Sequence, residues 1–262
     1  MSGGYYLKSF SPIPTRLIRV GVLLIVLNLI GYTLLAQDKI IEYREQTWVA
    51  YFNQTRFSDK WGLWTDIHFR FTDNFIDRLG LTIFRFAPMY YINDQTRLTA
   101  GYAYVTAYSA DDTPNIPEHR FWQQIQWFEK KKHVTMMQYF RVEERFRGNV
   151  VSGELSEDYL YSWRFRYNIS LTIPLKEAGL VPKSPFLFLN DEIHINAGRN
   201  ITNNYFDQNR LFVGMGYQFT NQLNAQLGYL FVFQQVSTPY TFVHTDAIRF
   251  FVFHNLDFRN SE

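Results

Sequence analysis

An antiparallel transmembrane β-barrel is the fold class this sequence predicts, with twelve strands preferred and ten as the alternative. Three observations predict it. Residues 61–72, WGLWTDIHFRFT, alternate: Trp61, Leu63, Thr65, Ile67, Phe69 and Phe71 fall on one side, and Gly62, Trp64, Asp66, His68, Arg70 and Thr72 on the other. A two-residue period is that of a β-strand with one apolar and one polar face. The same period recurs through most of the chain, and aromatic residues make up 19% of it, which suits rings displayed at a membrane interface. Finally, a basic and then apolar leader precedes the alternating region.

The leader is residues 1–36. Lys8, Arg16 and Arg19 come before VGVLLIVLNLIGYTLLA, the segment holds no acidic residue, and it ends at Ala36. This pattern reads as a cleaved signal peptide, an uncleaved signal anchor being the alternative. Cleavage after Ala36 removes three positive charges and takes the formal net charge from +2 to −1. Nucleic-acid binding then loses its global support. Residues 37–262 form the second unit, a single barrel domain without a Gly/Ser or Pro linker.

Along that unit, alternation and turn residues predict strands at 46–56, 61–72, 78–90, 95–108, 118–129, 133–147, 158–173, 185–197, 207–219, 222–235 and 244–259. Each meets or exceeds the ~9–11 residues that a tilted membrane strand needs. Mean hydropathy is only −0.23, as expected when each apolar residue is averaged with a polar neighbour. Short connections at 58–60, 92–94, 129–132 and 220–222 alternate with longer ones at 72–77, 109–117, 148–157, 198–206 and 236–243; the long 174–184 segment breaks the rule. Eleven candidates conflict with the even strand number of bacterial single-chain barrels, so a twelfth strand is placed near 39–44.

An Arg on the lipid face at mid-bilayer costs about 2–4 kcal/mol, so the charged faces must line the lumen. The lumen candidates are Asp66, His68, Arg70, Arg85, Arg120, Arg141, Glu143, Arg145, Arg147, Arg164, Arg166, Glu192, His194 and Arg210, with Arg249, Asp257 and Arg259 added at the last strand. This assignment sets eleven arginines against four acids. It supports either a solvated charge ladder that fills a narrow lumen or a basic pore favouring anions.

No cysteine is present, which removes disulfides, thiolate metal sites and cysteine nucleophiles. No G-x-S-x-G, H-E-x-x-H, EF-hand or phosphate loop occurs, so no catalytic residue, metal or cofactor is expected. Glu192 and His194 share a strand face, an arrangement more often a lumen hydrogen-bond network than a metal or acid/base pair. Phe258, near the end of the aromatic strand IRFFVFHNLDFR, resembles the residue that barrel-assembly machinery reads, although Arg259–Glu262 extend beyond it.

The segments WVAYFNQTRFSDKW (48–61), EHRFWQQ (118–124), RVEERF (141–146), NDEIHIN (190–196), FDQNRLFVGMGY (206–217) and FFVFHNLDFR (250–259) resemble the bacterial outer-membrane family known as domain of unknown function 2490. The resemblance implies an outer-membrane barrel of Bacteroidetes-type Gram-negative bacteria. It implies no activity, and its motifs contain Arg120, Arg141, Glu143, Arg145, Glu192 and Arg210. The expected role is a narrow anion-favouring channel or transport accessory. The alternatives are a scaffold barrel with a filled lumen and, third, an enzyme acting on lipid. The expected partners are outer-membrane lipid, the assembly machinery, and a small anionic solute or a protein, with no nucleic acid.

Overall fold

The computed structural model describes residues 39–111 and 113–259, and the expected signal peptide lies outside them. Among the described residues eleven strands close into one barrel. They are β1 (Ile40–Arg56), β2 (Trp61–Thr72), β3 (Arg78–Tyr91), β4 (Thr96–Ala107), β5 (Ile116–Lys131), β6 (Val134–Val151), β7 (Glu154–Pro174), β8 (Ser184–Ala197), β9 (Phe206–Gln218), β10 (Leu223–Gln235) and β11 (Thr241–Asp257). Each pairs with its sequence neighbours, and β1 closes the ring against β11.

The expected count of twelve is corrected to eleven, and ten fails equally. Residues 40–45 form no separate strand: they are the first part of β1. An odd ring of up-and-down strands must contain one parallel pair, and β1 and β11 supply it, in an unbroken register from Ile40↔Thr241 to Arg56↔Asp257. Closure pairs the edge groups that an open sheet would expose. The described chain therefore enters at one rim and leaves at the other.

The long connection expected at 148–157 is also corrected. β6 and β7 continue as a hairpin to a two-residue turn at Ser152 and Gly153. Both turn residues have positive φ, 54° and 86°, the geometry that matches the right-handed twist of the flanking strands. The 174–184 connection is long as read, spanning 175–183 between β7 and β8 at the rim of the short turns.

The two faces differ sharply. Phe84, Phe121, Leu211, Met215, Leu227, Tyr229 and Phe250 stand exposed on the outside. Apart from Arg78 and Lys131 at strand ends, no outward strand position among the described residues holds Arg or Lys. Acids do face outward, among them Glu45, Glu129, Glu144, Asp191 and Asp246, against the expectation that every charge turns inward, and Glu144, Asp191 and Asp246 are capped. Tyr161 donates to Glu144 (3.2 Å), Asn209 donates to Asp191 (2.7 Å), and Tyr229 donates to Asp246.

The core is the lumen itself. In its half nearer the short turns at 57–60 and 219–222, Phe52 stacks on Phe253 (centroids 4.7 Å) and meets Trp64 (6.1 Å), while Phe188 meets Phe212 (6.0 Å). Glycines make room for these rings. A Cβ on Gly216 would lie 2.1 Å from Phe186 Cζ, and one on Gly214 would lie 2.5 Å from Phe212 Cζ. Gly216→Val should thus lower folded stability by at least the ~1–3 kcal/mol typical of overpacking. Guanidinium unfolding of the refolded barrel in detergent measures it, and an unchanged midpoint would mean that the Phe186 ring is free to yield.

Candidate functional site in the lumen

Buried charges form a belt around the middle of the lumen. Inward-facing parity places them there, and register puts partners opposite one another: Asp66↔Arg85, Glu143↔Arg164, Arg166↔His194 and Glu192↔Arg210. Arg166 on β7 is the hub. It donates Nη1 to Glu143 of β6 and Nη2 to Glu192 of β8, both at 2.6 Å. Tyr139 also donates to Glu192. From Glu192 the network passes to His194 (3.0 Å) and Arg210 (3.6 Å), and Arg164 pairs with Asp207 at 2.9 Å. From Glu143 it passes to Arg120 (3.9 Å) and Arg141 (3.7 Å). Arg120 and Arg145 converge on Glu118 at 2.7 and 2.5 Å. On the other wall Asp66 accepts from Arg85 (2.8 Å), with His68 at 2.7 Å.

Nearly all of the lumen candidates read from the sequence thus line or border one space. Arg147 is the correction among them: it is exposed at the mouth, beyond the belt. Asp257 and Arg259 are corrected too. They pair with each other at 2.6 Å at the rim, and Arg259 also reaches Asp59 and Asp94. In that rim cluster Arg56 donates to Asp94 at 2.7 Å and holds its carboxyl below the usual range.

Two lumen acids escape the sequence reading. Glu118 shares the parity of Arg120, so the alternation already carried it. Asp207 does not, because a register shift at His194/Ile195 lets both Asp207 and Gln208 turn inward. The belt therefore sets nine arginines (Arg70, Arg85, Arg120, Arg141, Arg145, Arg164, Arg166, Arg210 and Arg249) against five carboxylates (Asp66, Glu118, Glu143, Glu192 and Asp207). The excess is four, against seven expected. The sequence also understates the rings among the charges: Arg141 lies 4.3 Å over Trp122, and Arg70 lies 3.6 Å over Trp48.

His119 points outward, away from Glu118 and Arg120. Tyr102 lies 2.6 Å from its Nδ1 and Tyr159 lies 3.3 Å from its Nε2. Among the described residues, no group of three or more His, Cys, Asp or Glu side chains is arranged to hold a metal ion.

The model of a family described as protein of unknown function DUF2490 matches residues 45–243. The chain belongs to the DUF2490 family. The match covers β1 from its sixth residue into the start of β11, and so contains every belt residue except Arg249. No curated protein and no solved structure gives a significant match.

Removing one partner of a buried ion pair typically costs about 3–5 kcal/mol, because a charge is left uncompensated. Arg166→Met removes the nearest cation from both Glu143 and Glu192, leaving them only the longer pairs with Arg120, Arg141 and Arg210, and should lose stability approaching that order. A loss below about 1 kcal/mol in denaturant unfolding would mean that water already solvates the belt.

Proposed function

We propose that this DUF2490 member is a non-enzymatic outer-membrane barrel whose lumen is closed by its own side chains, serving as a scaffold that presents its rims rather than as an open channel. The observation that carries this reading is the belt. One network of guanidiniums and carboxylates runs along the wall from β5 to β9, and rings bridge the space it borders: Arg210 reaches Trp48 of β1 at 5.0 Å, and Trp64 of β2 meets Trp122 of β5 at 6.1 Å. Barrels of about eight strands are filled by their own side chains, and a ring of eleven needs long ones to achieve the same. Arginine and tryptophan supply that length.

Support for a membrane comes from the outer face, with its exposed rings and its lack of Arg and Lys between the strand ends. The capped outward acids are compatible with it, since Asp and Glu cost less than Arg or Lys on a lipid face. The β6–β7 hairpin and the longer connections at 73–77, 108–115, 198–205 and 236–240 share one rim, the surface a partner would meet.

Planar-bilayer recording of purified, refolded protein tests the reading. No steady conductance steps are expected from the native chain. Stable single-channel steps of fixed size, anion-selective above all, would replace the closed scaffold with a pore.

A further inference from the structure

Two arginines of the belt have no carboxylate, and both flank one tryptophan. Trp48 of β1 is in direct register with Arg70 of β2 and with Arg249 of β11, across the parallel seam. The Arg70 guanidinium lies 3.6 Å from the centroid of the Trp48 ring, and Arg210 reaches the same ring at 5.0 Å. The Arg249 guanidinium lies 3.5 Å from the Phe212 centroid and 4.4 Å from that of Phe251. Arg249 is only 7% exposed, and its one hydrogen-bond acceptor is the neutral Gln226, at 2.9 Å. The Nε atoms of Arg70 and Arg249 are both buried without a hydrogen-bond partner. The charges that bear most on Arg70 are further arginines, Arg210, Arg120, Arg85 and Arg166.

Trp48, Arg70, Arg210, Arg249 and Phe251 line one cavity of about 160 Å³. A buried cation without a counter-charge is costly, and guanidinium N–H groups match oxyanions in geometry as well as in charge. Of the belt's excess positive charge, the two arginines without any carboxylate, Arg70 and Arg249, sit beside the seam, and among the described residues Glu192, already paired with Arg166 and Arg210, is the one acid in the cavity lining. A polar cavity needs only ~10–15 Å³ of this measure to hold one water, so there is room for a small anion with part of its hydration.

We infer that the cavity beside Trp48 is a binding site for a small free oxyanion, held by the guanidinium groups of Arg70 and Arg249 with Arg210 behind them. The inference rests on the closed-lumen reading, because a wide aqueous pore would hydrate the same arginines instead. The ligand is a phosphate- or carboxylate-sized solute. A lipid headgroup would have to carry its acyl chains into the middle of the lumen, among the charged side chains of the belt.

Inorganic phosphate and acetate are the probes, titrated into refolded protein in detergent against sodium chloride at matched ionic strength. Trp48 lies within 5.0 Å of two of the arginines, so tryptophan fluorescence should saturate with the oxyanion and not with chloride. Arg70→Gln and Arg249→Gln should each weaken that saturation at least tenfold. The native chain gives an independent readout should a variant fail to fold: an anion that binds only the folded barrel raises its unfolding midpoint, so phosphate should raise it above the chloride control. No saturable response to either oxyanion, together with no midpoint shift, overturns the site. Equal affinity in both folded variants also overturns it. Bilayer recording separates the two readings: failure to bind by a non-conducting barrel removes the site alone, whereas steady conductance removes the closed lumen on which it rests.

Discussion

The structure depends on one constraint: the inside of an eleven-strand ring must be filled, and it is filled with charge. Arg166 shows how this is possible. Its two Nη groups satisfy carboxylates on the strands to either side, Glu143 and Glu192. One side chain thereby pairs with two buried acids and ties three strands at mid-height. An ion pair in such a place is weak evidence for net stability, because desolvation offsets much of the attraction. Its stronger effect is on arrangement. A one-residue slip of β7 would turn Arg166 outward and take the nearest cation from both carboxylates, so the belt fixes register wherever it passes.

Two kinds of packing divide the lumen. Toward the short turns, aromatic rings fill the space left by glycines. At mid-height, ion pairs and cation–π contacts take over, and Arg141, held between Gln124 and the Trp122 face, belongs to both. The ion-pair network has an end. It runs from Glu118 to Arg210, with a separate cluster at Asp66, while β10, β11 and β1 bring Leu230, Arg249 and Trp48 and no acid. The parallel seam is therefore both the geometric closure of the ring and the gap in its charge compensation.

The alternation of apolar and polar residues made almost all of the strands legible, because a half-buried strand must keep its period of two over its whole length. The bounds of the β2 reading, Trp61–Thr72, match the structure. The strand number was not legible. A parallel seam leaves no mark in composition, and the parity argument assumed an even ring. Asp207 was hidden for a related reason: a register shift breaks parity locally, so its neighbours pointed to the wrong face. The residues around 148–157 looked like a loop because their alternation fades, yet Ser152 and Gly153 carry the left-handed turn that lets both strands continue. Arg147 kept the lumen parity of Arg141, Glu143 and Arg145 but lies beyond the belt, since parity assigns a face and says nothing about depth.

The central claim is a barrel with a lipid-facing exterior and a closed, charged interior. The chain contains no cysteine, so single cysteines placed along β2 report on both at once. In protein reconstituted into vesicles, Ile67→Cys carrying an environment-sensitive label should be quenched by spin-labelled lipid. Arg70→Cys should resist a charged, water-soluble maleimide added from either side until the barrel is unfolded. Rapid labelling at position 70 in the folded state, or no lipid quenching at position 67, would contradict it.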